Sequence, residues 1–207
     1  MDLNCCRYTP EFLDLFSRLP QLPPPNINVE KVYFSHAQFP SWRDFNETDI
    51  ENFFKNQGFT IIYPEKNTFL ENLAILQHCT TFAATEGSIS HNVIFCEKIE
   101  TLLILRKMPS LNLYQFTANA ILKIKNENLN IFYIDAATSS RLAKNRIFLY
   151  ETNELRRFFN LPRRHFPFLK FIQFLFWYYD NNFLVKTHPL RAKLKLGTRL
   201  RQLLKKS

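Results

Sequence analysis

With 207 residues, 46% of them apolar, the chain is long enough to bury a core and too apolar for wholesale disorder. Three glycines exclude a G-x-G-x-x-G dinucleotide fingerprint and a P-loop. The net charge of +9 is uneven: residues 156–207 hold thirteen Lys and Arg against Asp180 alone, net +12, and the preceding residues hold fourteen basic against seventeen acidic side chains, net −3, so the body gives no electrostatic case for nucleic acid.

Residues 1–19 suit a short helix with Phe12, Leu13, Leu15, Phe16 and Leu19 on one broad face, and no secretion signal is expected there. Pro20, Pro23, Pro24 and Pro25 make a linker of polyproline character, so 1–27 is read as an N-terminal helix and linker. Residues 32–34 read as a buried strand. Residues 46–57 read as a helix with Asn46 as N-cap, Asp49 at N3 and Gly58 at C′. A strand over 59–63 is closed by Pro64. Thr68 and Glu71 form a capping box that opens a helix to about residue 78. A strand over 80–84, a turn holding Gly87 and a short helix to about residue 95 come next. A strand over 101–105, a helix over 112–125, strands over 129–134 and 147–150 and a short helix over 152–159 complete the run. This alternation predicts an α/β fold over 28–160, a Rossmann-like parallel sheet covered on both faces. Cys5 and Cys6 are adjacent and Cys79 and Cys96 distant, which fits neither a disulfide framework nor zinc-ligand spacing, so reduced thiols are expected.

Residues 161–207 form an aromatic and basic tail. Residues 166–179 are mostly Phe, Leu, Trp and Tyr, and Leu194, Leu196, Leu200, Leu203 and Leu204 are interleaved with Lys and Arg. This composition suits a helix on an anionic membrane surface, with Trp177, Tyr178 and Tyr179 at headgroup level. The alternative is that the aromatic helix packs back on the sheet as the last helix of the domain. No stretch is long and apolar enough to span a bilayer of ~30 Å. No nucleic-acid-binding motif is present.

Gly87 is the only glycine between residues 59 and 196, and it stands where a strand runs into a helix. A helix start there aims the N–H groups of Ser88 to Ser90 at the carboxyl edge of the sheet. Open α/β sheets take ligands at that edge, and a helix N-terminus suits phosphate. The hydroxyls of Ser88 and Ser90 add donors. A plain tight turn capped by serine explains the same residues.

Five segments carry a resemblance. They are Val32-Tyr33-Phe34-Ser35-His36, Arg43-Asp44-Phe45-Asn46-Glu47, the run from Gly58 and Phe59 to Pro64-Glu65, Thr68-Phe69-Leu70-Glu71-Asn72, and Ala84-Thr85-Glu86-Gly87-Ser88-Ile89-Ser90-His91-Asn92 with Phe95 three residues on. In this order they resemble the catalytic domain of glycosyltransferase family 61, of the capsular polysaccharide type. Glu86, His36 and Asn72 depart from that pattern, which has His, Arg and Gln there. The resemblance implies one Rossmann-like half of a two-domain GT-B glycosyltransferase, needing no cofactor and no structural metal. Its partners would be a nucleotide-sugar donor and a cell-surface polysaccharide or lipid-linked acceptor. Its place would be cytoplasmic, peripheral on the inner membrane face. Carried over by position, Pro64 and Glu65 lie near the nucleotide, and Gly87, Ser88 and Asn92 face the phosphates, beside Ser90, which the helix start itself offers as a donor. Arg43 neutralises the leaving diphosphate, and Glu86 is the candidate base. The acceptor half does not fit in 207 residues. Either the chain is a fragment of a longer protein, or a second glycosyltransferase chain supplies that half, or the chain is a non-catalytic nucleotide-sugar-binding or membrane scaffolding module.

Overall fold

Five parallel strands frame the protein. The computed structural model describes residues 10–38, 44–107, 118–119, 121–123, 126–140 and 146–179. In chain order its strands are β1 (Lys31–Phe34), β2 (Asp44–Phe45), β3 (Thr60–Ile62), β4 (Thr81–Thr85), β5 (Thr101–Arg106), β6 (Asn130–Asp135), β7 (Ala137–Ser140) and β8 (Arg146–Leu149). The helices are α1 (Pro10–Ser17), α2 (Glu47–Asn56), α3 (Phe69–His78), α4 (Asn153–Phe158) and α5 (Phe168–Tyr179), with 3-10 turns at Pro64–Lys66 and Ser88–Phe95. The main sheet runs β3-β1-β4-β5-β6, every neighbouring pair parallel.

Its central strands are near-continuous apolar runs because both faces are covered. On one face Val32, Phe34, Phe82, Ala84, Leu102 and Ile104 meet Ile75 and Leu76 of α3 and Ile89 and Val93 of the 3-10 segment. Ala118 and Leu122, in helical residues within the 112–125 stretch, join that layer. On the other face Tyr33, Ala83, Leu103 and Leu105 meet Ile50, Phe53 and Phe54 of α2 and Leu155 of α4.

Local signals set the helix ends. The Thr68 hydroxyl accepts from the Glu71 N–H, and the Glu71 carboxylate accepts from the Thr68 N–H at 2.6 Å, so the capping box forms. Gly58 takes φ +81° after α2, as a C′ glycine does. Asn46 precedes α2 but is not the expected side-chain cap. It lies at φ 76°, and its amide donates to Asp49 (3.1 Å) and to the Leu149 carbonyl (2.9 Å), tying α2 to β8.

Three other expectations change. The strand near 147–150 does not extend the main sheet. As β8 it heads a second sheet, β2-β8-β7, parallel to β2 and antiparallel to β7. The proline segment is docked: Gln77, buried in α3, donates to the Pro20 carbonyl at 2.9 Å and accepts from the Leu22 N–H at 3.1 Å. The aromatic helix α5 packs back, here onto the second sheet. Phe148 of β8 is ringed by Phe45, Tyr150, Phe166, Phe171 and Phe174. Tyr178 is therefore buried and Trp177 half-buried against Phe45, so neither is placed for a headgroup layer, while Tyr179 is exposed. Residues 180–207 lie outside the described residues. Among those described, no helix is long and apolar enough to cross a membrane. Cys79 and Cys96 form no disulfide but are buried and brought together, their sulfurs 3.7 Å apart, while Cys5 and Cys6 fall outside the described residues.

Candidate functional site

In chain order the main-sheet strands lie second, first, third, fourth, fifth, which puts a topological switch point between β1 and β4. The connection from β1 leaves through α2 on one face, and that from β4 leaves through the 3-10 segment on the other. The chain leaving the carboxyl end of β1 and the chain leaving that of β4 therefore turn to opposite faces of the sheet. Residues 35–37 form one rim and residues 86–88 the other.

The first rim is held from below by two carboxylates one helical turn apart on α2. Glu47 accepts from the His36 N–H (2.9 Å) and the Tyr33 hydroxyl (3.2 Å). Glu51 accepts from the Ser35 hydroxyl at 2.6 Å, and that hydroxyl in turn accepts from the Ala37 N–H at 2.9 Å. Tyr33, Ser35, Glu47 and Glu51 are all buried. Burial pushes the Glu47 carboxyl up, against the pull of the His36 N–H and the Lys107 charge. Burial, then Glu47, pushes the Tyr33 hydroxyl well above its usual range, so it stays a donor. Lys107, just past β5, pairs with Asp44 of β2, both largely buried. Burial and then Lys107 push His36 below its ordinary 6.5, against Asp44 and Glu65, so its imidazole is neutral at pH 7.

Glu47 gives a pH prediction. Its carboxyl binds a proton more tightly folded than unfolded, so the unfolded chain loses that proton first as pH rises above the ordinary 4.5. Its contribution to stability is thus fully present below that value and is lost as pH rises through the raised folded value. Glu47→Gln keeps an oxygen acceptor without the charge. It is expected to melt higher than wild type at pH 7, with the difference shrinking toward pH 4. Paired melts across pH 4–8 read this, and a variant that melts lower at pH 7 contradicts it.

The second rim is shaped by Gly87. The Glu86 N–H donates to the Leu105 carbonyl at 2.8 Å, fixing the chain as it leaves β4. Gly87 then takes φ +141° and ψ −167°, a region that is essentially glycine-only. A Cβ built there meets no heavy atom within 4 Å, so the space beside it is open. Gly87→Ala is therefore expected to cost backbone strain without a clash, about 1–3 kcal/mol. At roughly 2–4 °C per kcal/mol for a chain of this size, the melting temperature reports it, and an unchanged value refutes the strain.

The expected phosphate-facing residues part company here. Ser88 is exposed at the start of the 3-10 segment. Ser90 is buried, and its hydroxyl (2.7 Å) and N–H (3.1 Å) both donate to the Gly87 carbonyl, which closes the turn. The Asn92 amide donates to the Ile89 carbonyl at 2.9 Å. The segment is 3-10 rather than an α-helix, so its N-terminal dipole is short. Pro64 and Glu65 lie in the turn after β3. The Pro64 carbonyl accepts from Asn72 at 2.9 Å, and exposed Glu65 is near enough to act on His36. Glu86 is half-buried, and its charge helps raise the Tyr133 hydroxyl after burial has done so. Arg43 lies outside the described residues, beside Asp44 in sequence.

Sequence reasoning missed Glu51, Lys107 and Thr85 as neighbours of this switch point and took Glu47 only as a helix opener. The available signal was the i, i+4 spacing of Glu47 and Glu51 around apolar Ile50 on one helix face. Thr85 ends β4 fully buried, and its hydroxyl has no hydrogen-bond partner. Strand alternation puts it on the Tyr33 and Ser35 face of the sheet. Among the described residues, no group of three or more His, Cys, Asp or Glu could hold a metal ion.

Residues 4–103 match the family model for glycosyltransferase 61. That stretch takes in both rims, 35–37 and 86–88. No curated protein and no solved structure matches the chain.

Proposed function

Residues 4–103 belong to glycosyltransferase family 61, and from that premise we propose that the chain transfers a sugar from a nucleotide-sugar donor to a polysaccharide or lipid-linked acceptor. The observation that supports it most is the position of the switch point within the matched stretch, with open space beside a glycine-only turn. The donor diphosphate would lie along Gly87 and the N–H and hydroxyl of Ser88. Arg43 would neutralise it as it leaves. Pro64 and Glu65 would border the nucleotide. Ser90 and Asn92 would serve by holding the turn. Glu86 would take the acceptor hydroxyl proton as that oxygen bonds to the anomeric carbon and the nucleoside diphosphate departs with the electron pair of the broken bond. No cofactor enters this scheme. We place it at the cytoplasmic side of the inner membrane, with a second chain completing the acceptor side.

A second reading, donor binding without catalysis, is favoured by Glu86, which stands where the resembled pattern has His. Melting in the presence of uridine, guanosine, thymidine and cytidine nucleotide sugars tests both. A true donor at a hundredfold excess over its Kd is expected to stabilise by about 2.7 kcal/mol. Stabilisation by none of them overturns both readings. Stabilisation without donor hydrolysis or transfer leaves the binding module.

A further inference from the structure

Helix α5 is apolar on both sides, with Lys170 and Gln173 its only strongly polar residues. One side closes the second sheet through Phe171, Phe174 and Tyr178. The other carries an open ridge: Phe168 is 63%, Leu169 68% and Phe176 37% exposed. Leu169 and Phe176 are two turns apart and so share a face. A water-facing helix ordinarily turns polar residues outward, and an exposed apolar ridge on one marks a contact surface.

Charge selects the occupant. Exposed Arg163 and Arg164 precede the ridge, Arg164 sharing its charge with Glu151 at 3.1 Å and Arg163 making no such pair among the described residues. Residues 180–207, which follow it, hold eight Lys and Arg against Asp180, net +7. We propose that this ridge docks on an anionic phospholipid surface, its apolar side chains entering the headgroup boundary and the flanking cations meeting lipid phosphates. Apolar burial and anionic-lipid attraction act together in such binding. A second copy of the chain fits poorly, since a symmetric pairing through α5 would bring two segments of net +12 together. The ridge lies on a helix that packs against the second sheet, and the inference does not depend on the sugar-transfer reading.

Co-sedimentation of the full chain with phosphatidylglycerol/phosphatidylcholine vesicles, beside pure phosphatidylcholine vesicles, tests it. Wild type is expected to bind the anionic vesicles at least about tenfold more tightly, and to weaken as salt shortens the range of the charges. The double variant Phe168→Ser/Leu169→Ser, which alters exposed positions, is expected to lose about tenfold or more of that binding. Leu169→Glu serves as a second variant should the double variant melt early. Wild type that stays in the supernatant overturns the proposal. So does equal binding by the variants, which would leave charge alone as the cause. A wild-type dimer in light scattering that becomes monomeric in the variants also overturns it, by giving the ridge to a second copy.

Discussion

Glu86→Gln is expected to lower sugar transfer by about 10²–10⁴-fold while donor binding, read by melting shift, stays as in wild type. The carboxylates around the switch point differ in how they are engaged. Glu47 accepts from Tyr33 and His36, Glu51 accepts from Ser35, and Asp44 pairs with Lys107. Among the described residues, no side chain is seen donating to the carboxylate of Glu86, although its backbone is fixed by the bond to Leu105. A carboxylate held at a strand end, to which no described side chain donates, can take a proton from an incoming hydroxyl. Glutamine keeps the size and removes that capacity. Measuring kcat beside donor affinity separates the two roles. Equal kcat in wild type and variant removes Glu86 from the chemistry. Loss of donor binding would make it a binding residue.

Phe148→Ala should produce a large loss of stability, about 3–5 kcal/mol, as for other fully buried large aromatics. Phe148 is fully buried, and five aromatic rings lie around it. Few of these neighbours can collapse into the space, because β2, β8 and α5 each hold one side of it. On the order of 10 °C should be lost from the melting temperature. The damage should also travel. β8 pairs with β2, whose Asp44 holds Lys107 beside His36, so the first rim should loosen. A loss below about 1 kcal/mol in a calorimetric melt would show that α5 is not a structural part of the domain.

The five parallel strands were legible because buried parallel strands are written as unbroken apolar runs, as in residues 81–85 and 101–106. The Thr68 and Glu71 box and the Gly87 turn were legible because their chemistry is local. The second sheet was not. β2 has two residues, and β7 reads Ala-Thr-Ser-Ser, so neither carries an apolar run, and each is a strand only because β8 stands beside it. Asn46 shows the same limit. Its place at the start of α2 could be read, but its bond to the Leu149 carbonyl spans 103 positions in sequence. At the site, the glycine signalled the second rim. The first rim depends on acids under a helix, a residue type that a sequence pattern assigns to water. The tail divided: packing of α5 follows from Phe148, which no periodicity within 166–179 could announce.

The matched stretch stops at residue 103, halfway along β5. Beyond it lie β6, which zips along all of β5, and Ile134, Ile147, Leu149 and Leu155, which roof Tyr33 and Phe54. The stretch that matches the family and the stretch that completes the core therefore have different borders in this molecule. A fragment cut where the match ends would present a raw strand edge and an incomplete core to solvent. Grafts between relatives should be spliced after the second sheet, and the soluble yield of the two cuts would show which border governs.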